Sequence, residues 1–292
     1  MFSLKVLLTG ASGQLGRALV NVRPRDIELT ALSHDEFDIT DAASAESELR
    51  TRKPDLIINA AAYTAVDRAE AEPEKAREVN ELGPRNLARA AAAINARMIH
   101  VSTDYVFSGD STRAYMPEDS AEPLGAYGRT KLAGELAVSS LLAGRSVVLR
   151  TAWVYGPTGR NFVSTMLNAM SERGRVRVVA DQIGTPTATE SIARVLWAYA
   201  VRPTLHGVYH WTDAGVASWY DFAVAISEEA AALGLLSRDI KVDPIVTDEY
   251  PTAARRPPFS LLDSRKTVQA IDMPQLHWRV WLRRVLGDMQ GA

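Results

Sequence analysis

Tyr127 and Lys131 stand four positions apart in the stretch AYGRTKLAGE, residues 126–135. Side chains at i and i+4 share one face of an α-helix, which brings the ammonium within reach of the phenol. A fixed cation favours the ionised phenol and lowers its pKa from the ordinary value of about 10, making the tyrosine an acid of moderate strength. Chance produces the same spacing on solvated helices, and the pair alone leaves both readings open. A second polar run, VSTDYVF, holds Ser102, Thr103, Asp104 and Tyr105. A third group, TGASGQLG, sets Gly10, Gly13 and Gly16 between an apolar run and a helical pattern. Backbone N–H groups at a helix start, approached closely where glycine has no side chain, bind a pyrophosphate. A tight strand-to-helix turn without a ligand reads the same way, and the spacing is G-x-x-G-x-x-G rather than the commoner G-x-G-x-x-G.

These groups act together only if the fold gathers them. The runs 5–9, 27–32, 55–59, 97–103 and 146–151 predict strands, several too continuously apolar for a half-exposed sheet. Helical patterns fill 14–22, 42–52, 74–96 and 127–142, and Gly83-Pro84 should kink or restart the helix leading to the fourth strand. This alternation predicts an α/β fold with a Rossmann-type, doubly wound parallel sheet. In such a sheet ligands lie beyond the carboxyl ends of the strands, where Thr103 ends the fourth strand and Tyr127 opens the following helix. Thr103, Tyr127 and Lys131 could thus converge on a carbonyl beside a bound nicotinamide. The second strand ends in LSH, with no acid to hold a ribose 2′-hydroxyl. That favours NADPH, with Ser33 and His34 as partners for a 2′-phosphate and NADH as the alternative; Asp38 comes later and would meet the adenine. Beyond residue 152, loops rich in Pro, Gly, Arg and aromatics alternate with helices near 162–172, 189–200 and 218–234, the composition expected of specificity loops. The expected division is 1–152 for the dinucleotide, with about 176–200 returning to it, and 153–292 mostly for a smaller, largely C-terminal substrate-binding α/β subdomain.

The composition excludes several functions. The 292 residues include no cysteine, which removes thiol catalysis, cysteine-held zinc and iron–sulfur clusters and suits a reducing cytoplasm. The start, MFSLKVLLTGASG, reads as a first strand rather than a leader. No apolar run reaches the roughly 18–20 residues of a membrane span. Formal net charge is −2 with both signs interspersed, so there is no basic footprint for nucleic acid.

TGxxGxxG at 9–16, NAAAYTAVDRAE at 59–70, STDYVFSG at 102–109, YGRTKLAGE at 127–135 and RTAWVYG at 150–156 resemble the extended short-chain dehydrogenase/reductases. More narrowly they resemble the dTDP-4-dehydrorhamnose reductase family, a likeness that NFVSTML, DQIGTPT and YPTAARRP carry along nearly the whole chain. The glycine turn and YxxxK identify only the superfamily; STDYVF, RTAWVYG and DQIGTPT in this order are more specific. The resemblance implies NADPH-dependent reduction of the 4-keto group of dTDP-6-deoxy-L-lyxo-4-hexulose, the last step of dTDP-L-rhamnose biosynthesis. On this sequence Tyr127 would give the proton, Lys131 would hold the ribose hydroxyls and lower the phenol's pKa, and Thr103 would bind the keto oxygen. The implied cofactor set is Gly10, Gly13, Gln14, Leu15, Gly16, Ser33, Asp38, Ile39, Ala61, Ala62, Tyr63, Thr64, Tyr127 and Lys131. Asp104, Tyr105 and Trp153 would frame the sugar with Asn161 and Gln182 as companions, and Arg256 would meet the diphosphate; Trp153 as core and Arg256 as a solvated loop residue are the plain alternatives. Some family members join subunits through magnesium held by glutamates, one of them on the first helix. Here Glu190 is present but GQLGRALV has no carboxylate, so no metal site and a monomer or weak homodimer are expected. A non-catalytic NADP(H)-binding regulatory subunit resembles the same family, against which the intact Thr103, Tyr127 and Lys131 argue. A nucleotide-sugar epimerase or dehydratase is a third reading, but Tyr105 stands where a dehydratase has glutamate.

Overall fold

The computed structural model describes residues 3–237 and 239–291. Among them, six parallel strands form the main sheet in the order Gly207–His210, Ser146–Thr151, Arg97–Thr103, Leu56–Asn59, Leu4–Thr9, Ile27–Leu32. Side chains alternate across it. Val6, Leu8, Ile58 and Leu149 enter a core on one face, while Leu7, Ile57 and Met98 enter a core on the other. Burial on both faces is why the strand runs read as continuously apolar. Helices Gln14–Asn21 and Thr189–Ala200 cover the first face, where the Trp197 indole donates to Leu19 O at 3.0 Å. Helices Ala42–Arg52, Gly83–Ala93 and Ala126–Leu141 cover the second. The first strand lies between the second and third, so the crevice of a doubly wound sheet opens at the ends of Leu4–Thr9 and Leu56–Asn59.

The five expected strands appear within a residue of their predicted limits. The sixth, the four-residue strand Gly207–His210 at one end of the sheet, is not among the expected strands. The expected helix 74–96 is a chain of pieces: Pro73–Arg77, a π-helical turn Glu78–Leu82, and Gly83–Ala93, preceded by Val66–Ala71. Pro84 has no N–H to return to the carbonyl of residue 80, so the helix restarts there with proline in its first turn.

A second core joins helices Phe162–Arg173, Trp219–Ala232 and Trp278–Gln290 to strands Arg175–Val179 and Lys241–Ile245, which pair in parallel. Val176 and Val178, at the start of the 176–200 segment expected to return to the dinucleotide unit, pack in this second core. The chain rejoins the main sheet from 189 onward, and strand Gly207–His210 and helix Arg265–Ile271 also belong there. None of the described helices is long and apolar enough to cross a membrane.

Candidate active site

Gly10 sits at φ +73°, and a Cβ there would come within 2.6 Å of Ala61 N. A Cβ on Gly16 would overlap Gly10 O. Both positions therefore need glycine for close approach, not flexibility. Gly13 N-caps helix Gln14–Asn21, offers its first N–H groups no side chain, and is followed by no acid in the first turn. Those N–H groups carry the positive end of the helix and suit a pyrophosphate. Leu15 packs against the main core, whereas the Gln14 side chain accepts from Asn161 Nδ2 at 2.9 Å and donates to Arg160 O at 3.3 Å. Across the crevice the 61–64 segment is held by two buried asparagines. Asn59 Oδ1 accepts from Thr9 Oγ1 (2.7 Å) and Ala61 N (3.1 Å), and Asn80 receives Tyr63 N at 2.9 Å while donating to Tyr63 O at 3.0 Å. Ala62 lies partly buried beside Tyr63, and Thr64 is exposed.

The tip of the second strand differs from expectation. Glu36 folds back so that Oε2 accepts from both Ser33 N (2.9 Å) and Ser33 Oγ (2.7 Å). An acid does reach the strand end, delivered by a turn rather than by the strand itself. These bonds hold its carboxyl below the usual range. Both Ser33 donors expected for a 2′-phosphate are thereby engaged, while His34 is exposed. Asp38 Oδ1 closes a local turn by accepting from Thr40 N and Oγ1, both at 2.9 Å. The Ile39 side chain is a core residue, 4% exposed, packed where a Cβ on Gly83 would stand.

Thr103, Asp104, Tyr105 and Tyr127 meet beyond the fourth strand. Thr103 Oγ1 donates to Asp104 Oδ1 at 3.0 Å and accepts from Tyr105 N at 3.2 Å; the Tyr105 and Tyr127 rings stand edge to face with centroids 5.6 Å apart. Burial pushes Tyr127 up to about 12, against the neighbouring Thr103 hydroxyl, with Asp104 adding to the rise. Burial likewise raises Asp104 to about 6, and its Oδ2 has no hydrogen-bond partner among the described residues. Lys131 is 2% exposed, donates to Val101 O at 2.7 Å, and is lowered by burial to about 8. The expected depression of the phenol by Lys131 is not seen: desolvation sets the direction, and the lowering influence on it is the Thr103 hydroxyl rather than Lys131. Tyr127 stays protonated at neutral pH, the form a proton donor requires.

The other expected substrate residues separate. Arg256 comes near Tyr105, but its Nη1 and Nη2 bind Asp67 at 3.0 and 2.8 Å. Trp153 has a left-handed backbone, φ +46°, and stacks on Trp219 with ring centroids 3.6 Å apart, against Gly184. Such a conformation is strained in a bulky residue. Asn161 caps helix Phe162–Arg173: Oδ1 accepts from Ser164 N, and Nδ2 donates to Gln14 and to Gly156 O, each at 2.9 Å. Capping therefore takes up the Asn161 amide. Gln182 is 6% exposed and donates to Thr247 Oγ1 at 3.0 Å, tying two loops. Glu190 accepts from Arg194 at 2.7 Å, and with no carboxylate on helix Gln14–Asn21 this donor set does not fit a magnesium bridge.

Sequence reasoning missed Glu36, Asp67, Glu70, Asn80 and Trp219. Asp67 and Glu70 stand in the VDRAE stretch already noted, three apart on one helix face, and that spacing was the available signal. Glu70 Oε1 accepts from Ala126 N at 2.6 Å, capping the helix of Tyr127 and Lys131, whose own N-cap Gly125 offers no side chain. Asn80 also donates to Thr130 of that helix at 3.3 Å.

Residues 4–290 match the family model described as RmlD substrate binding domain. The dTDP-4-dehydrorhamnose reductase of Aggregatibacter actinomycetemcomitans is 42% identical over 96% of this chain and 98% of its own. That of Escherichia coli is 38% identical over 98% of both chains. A crystal structure of dTDP-4-dehydrorhamnose reductase from Bacillus anthracis in complex with NADP superposes with a TM-score of 0.92 at 33% identity, covering 98% of this chain and 100% of the other.

Proposed function

The chain belongs to the dTDP-4-dehydrorhamnose reductase family, and from that premise we propose that Thr103, Tyr127 and Lys131 carry out the NADPH-dependent reduction of the 4-keto group of dTDP-6-deoxy-L-lyxo-4-hexulose to give dTDP-L-rhamnose. The observation that supports this most is positional. The phenol of Tyr127 lies within hydrogen-bond reach of the Thr103 hydroxyl, beyond the carboxyl end of the fourth strand, the side of a doubly wound sheet on which ligands bind. When bound, NADPH supplies the hydride that carbon 4 receives. Tyr127, kept neutral by its burial, gives its proton to the keto oxygen, so that ketone becomes alcohol with charge balanced. Thr103 turns its one hydroxyl proton from Asp104 to the same oxygen. Lys131, anchored on Val101 O, would hold the nicotinamide ribose hydroxyls with its remaining donors. The 10–16 turn and the 61–64 segment would hold the dinucleotide, the stacked Trp153 and Trp219 would wall the sugar, and Arg256 would meet the diphosphate.

The same reading assigns 1–152 mainly to the cofactor and 153–292 mainly to the sugar nucleotide. It places the protein in the cytoplasm, which a cysteine-free chain suits, as a monomer or weak homodimer. Mixing the protein with NADPH and a panel of dTDP-4-keto sugars tests the activity directly. Oxidation of one NADPH per sugar consumed supports it; unchanged reduced-cofactor absorbance across the panel contradicts it.

A further inference from the structure

The six-residue helix Val66–Ala71 touches both halves of the site. On one side Asp67 binds both Nη atoms of Arg256, and its Oδ1 accepts from Ala254 N at 3.1 Å. Arg256 Nη1 returns to Ala254 O at 3.1 Å, which Thr252 Oγ1 also reaches, so the 252–256 loop closes on this carboxylate. Three residues later Glu70 Oε1 accepts the first N–H of helix Ala126–Leu141. Gly125 leaves room for it: a Cβ there would lie 2.6 Å from Glu70 Oε1. Between the two acids, Ala69 is buried against Ala126, and Tyr127 packs on the same cluster. A carboxylate at a helix start satisfies orphan N–H groups and complements the helix dipole.

Resting on the reading of Tyr127 and Arg256 given above, we propose that this helix registers the substrate loop against the catalytic helix. Asp67 is a positioning residue for Arg256, orienting it toward a nucleoside diphosphate, and Glu70 is a positioning residue for Tyr127. The two acids act on different kinetic constants. Arg256 contacts a part of the substrate that does not react, so loosening it weakens ground and transition states alike. Tyr127 acts in the transition state, so loosening it lowers turnover.

The test uses the full chain with NADPH and the dTDP-4-keto sugar. Asp67→Asn should raise KM for the sugar nucleotide about tenfold while kcat stays within about threefold, the scale of one charge-assisted hydrogen bond. Glu70→Ala should lower kcat about tenfold with the dissociation constant of NADPH unchanged. Adding Gly125→Ser to Glu70→Ala supplies a side-chain cap at a position whose backbone is already extended, and should recover most of kcat. Unaltered constants in both single variants overturn the proposal. So does a loss shared equally by KM and kcat that tracks a fall in melting temperature, or a failure of Gly125→Ser to restore turnover. A wild-type enzyme that turns over, with Tyr127→Phe inactive, keeps the catalytic reading when this proposal fails; absence of wild-type turnover refutes both.

Discussion

Glu36 shows how much a single side chain can redirect at the mouth of the cofactor site. Its carboxylate sits on the two Ser33 donors at the tip of the second strand, where a 2′-phosphate would add negative charge and a 2′-hydroxyl would add none. Glu36 is solvated, so screening keeps the effect small. Glu36→Gln should raise the ratio of kcat/KM for NADPH over NADH by about threefold to fivefold, and an unchanged ratio would remove Glu36 from cofactor choice. At this scale the sequence was legible in residue type and spacing and illegible in orientation. The pair Tyr127 and Lys131 could be read from its i, i+4 period. That Lys131 turns to Val101 O, and that burial rather than the cation governs the phenol, depends on packing that no local pattern encodes.

The element that most constrains the site is the helix Ala126–Leu141. It lies against the π-helical turn Glu78–Leu82, where a Cβ on Gly134 would overlap Asn80 O. π-helical turns often mark functional positions, and here Asn80 reaches both the 61–64 segment and Thr130. Gly134→Ala should therefore destabilise by roughly 1–3 kcal/mol, the usual cost of overpacking, and lower kcat by displacing Tyr127. Urea unfolding together with steady-state rates checks this; full stability in the variant would mean the helices are less tightly apposed. The strands of the main sheet were legible because burial on both faces leaves unbroken apolar runs. The restart of the 74–96 helix at Gly83-Pro84 was legible from the proline, whereas the π turn Glu78–Leu82 was not, because it leaves the apolar pattern intact. Strand Arg175–Val179 was not legible because its partner, Lys241–Ile245, lies far along the chain.

Across the whole molecule, two buried carboxylates make stability depend on pH. Burial pushes Asp213 up to about 7, although Ser191 and the Ala188 N–H pull it down, and Asp104 shares the upward direction. A folded-state pKa above the unfolded value means that the native state takes up the proton. The associated stability is present in full below pH ~4 and is lost as pH rises through about 7 for Asp213. Asp213→Asn keeps an oxygen for Ala188 N, which Asp213 Oδ2 accepts at 2.9 Å, and removes the titration. Its melting temperature should gain on the wild type between pH 5 and pH 8; parallel curves would contradict the assignment. The overall architecture was legible from the alternation of strands and helices, as was the meeting of Thr103 and Tyr127 beyond the fourth strand. The ties between distant loops, such as Asp67 to Arg256 and Gln14 to Asn161, were not, because only the folded chain brings them together. The central claim, that Tyr127 is the proton donor, is tested most directly by single-turnover NADPH oxidation with Tyr127→Phe at saturating dTDP-4-keto sugar. The variant keeps the ring and its packing and loses only the proton, so the rate should fall about 10²- to 10⁴-fold, with NADPH affinity nearly unchanged. A Tyr127→Phe enzyme that oxidises NADPH at close to the wild-type rate would contradict the account.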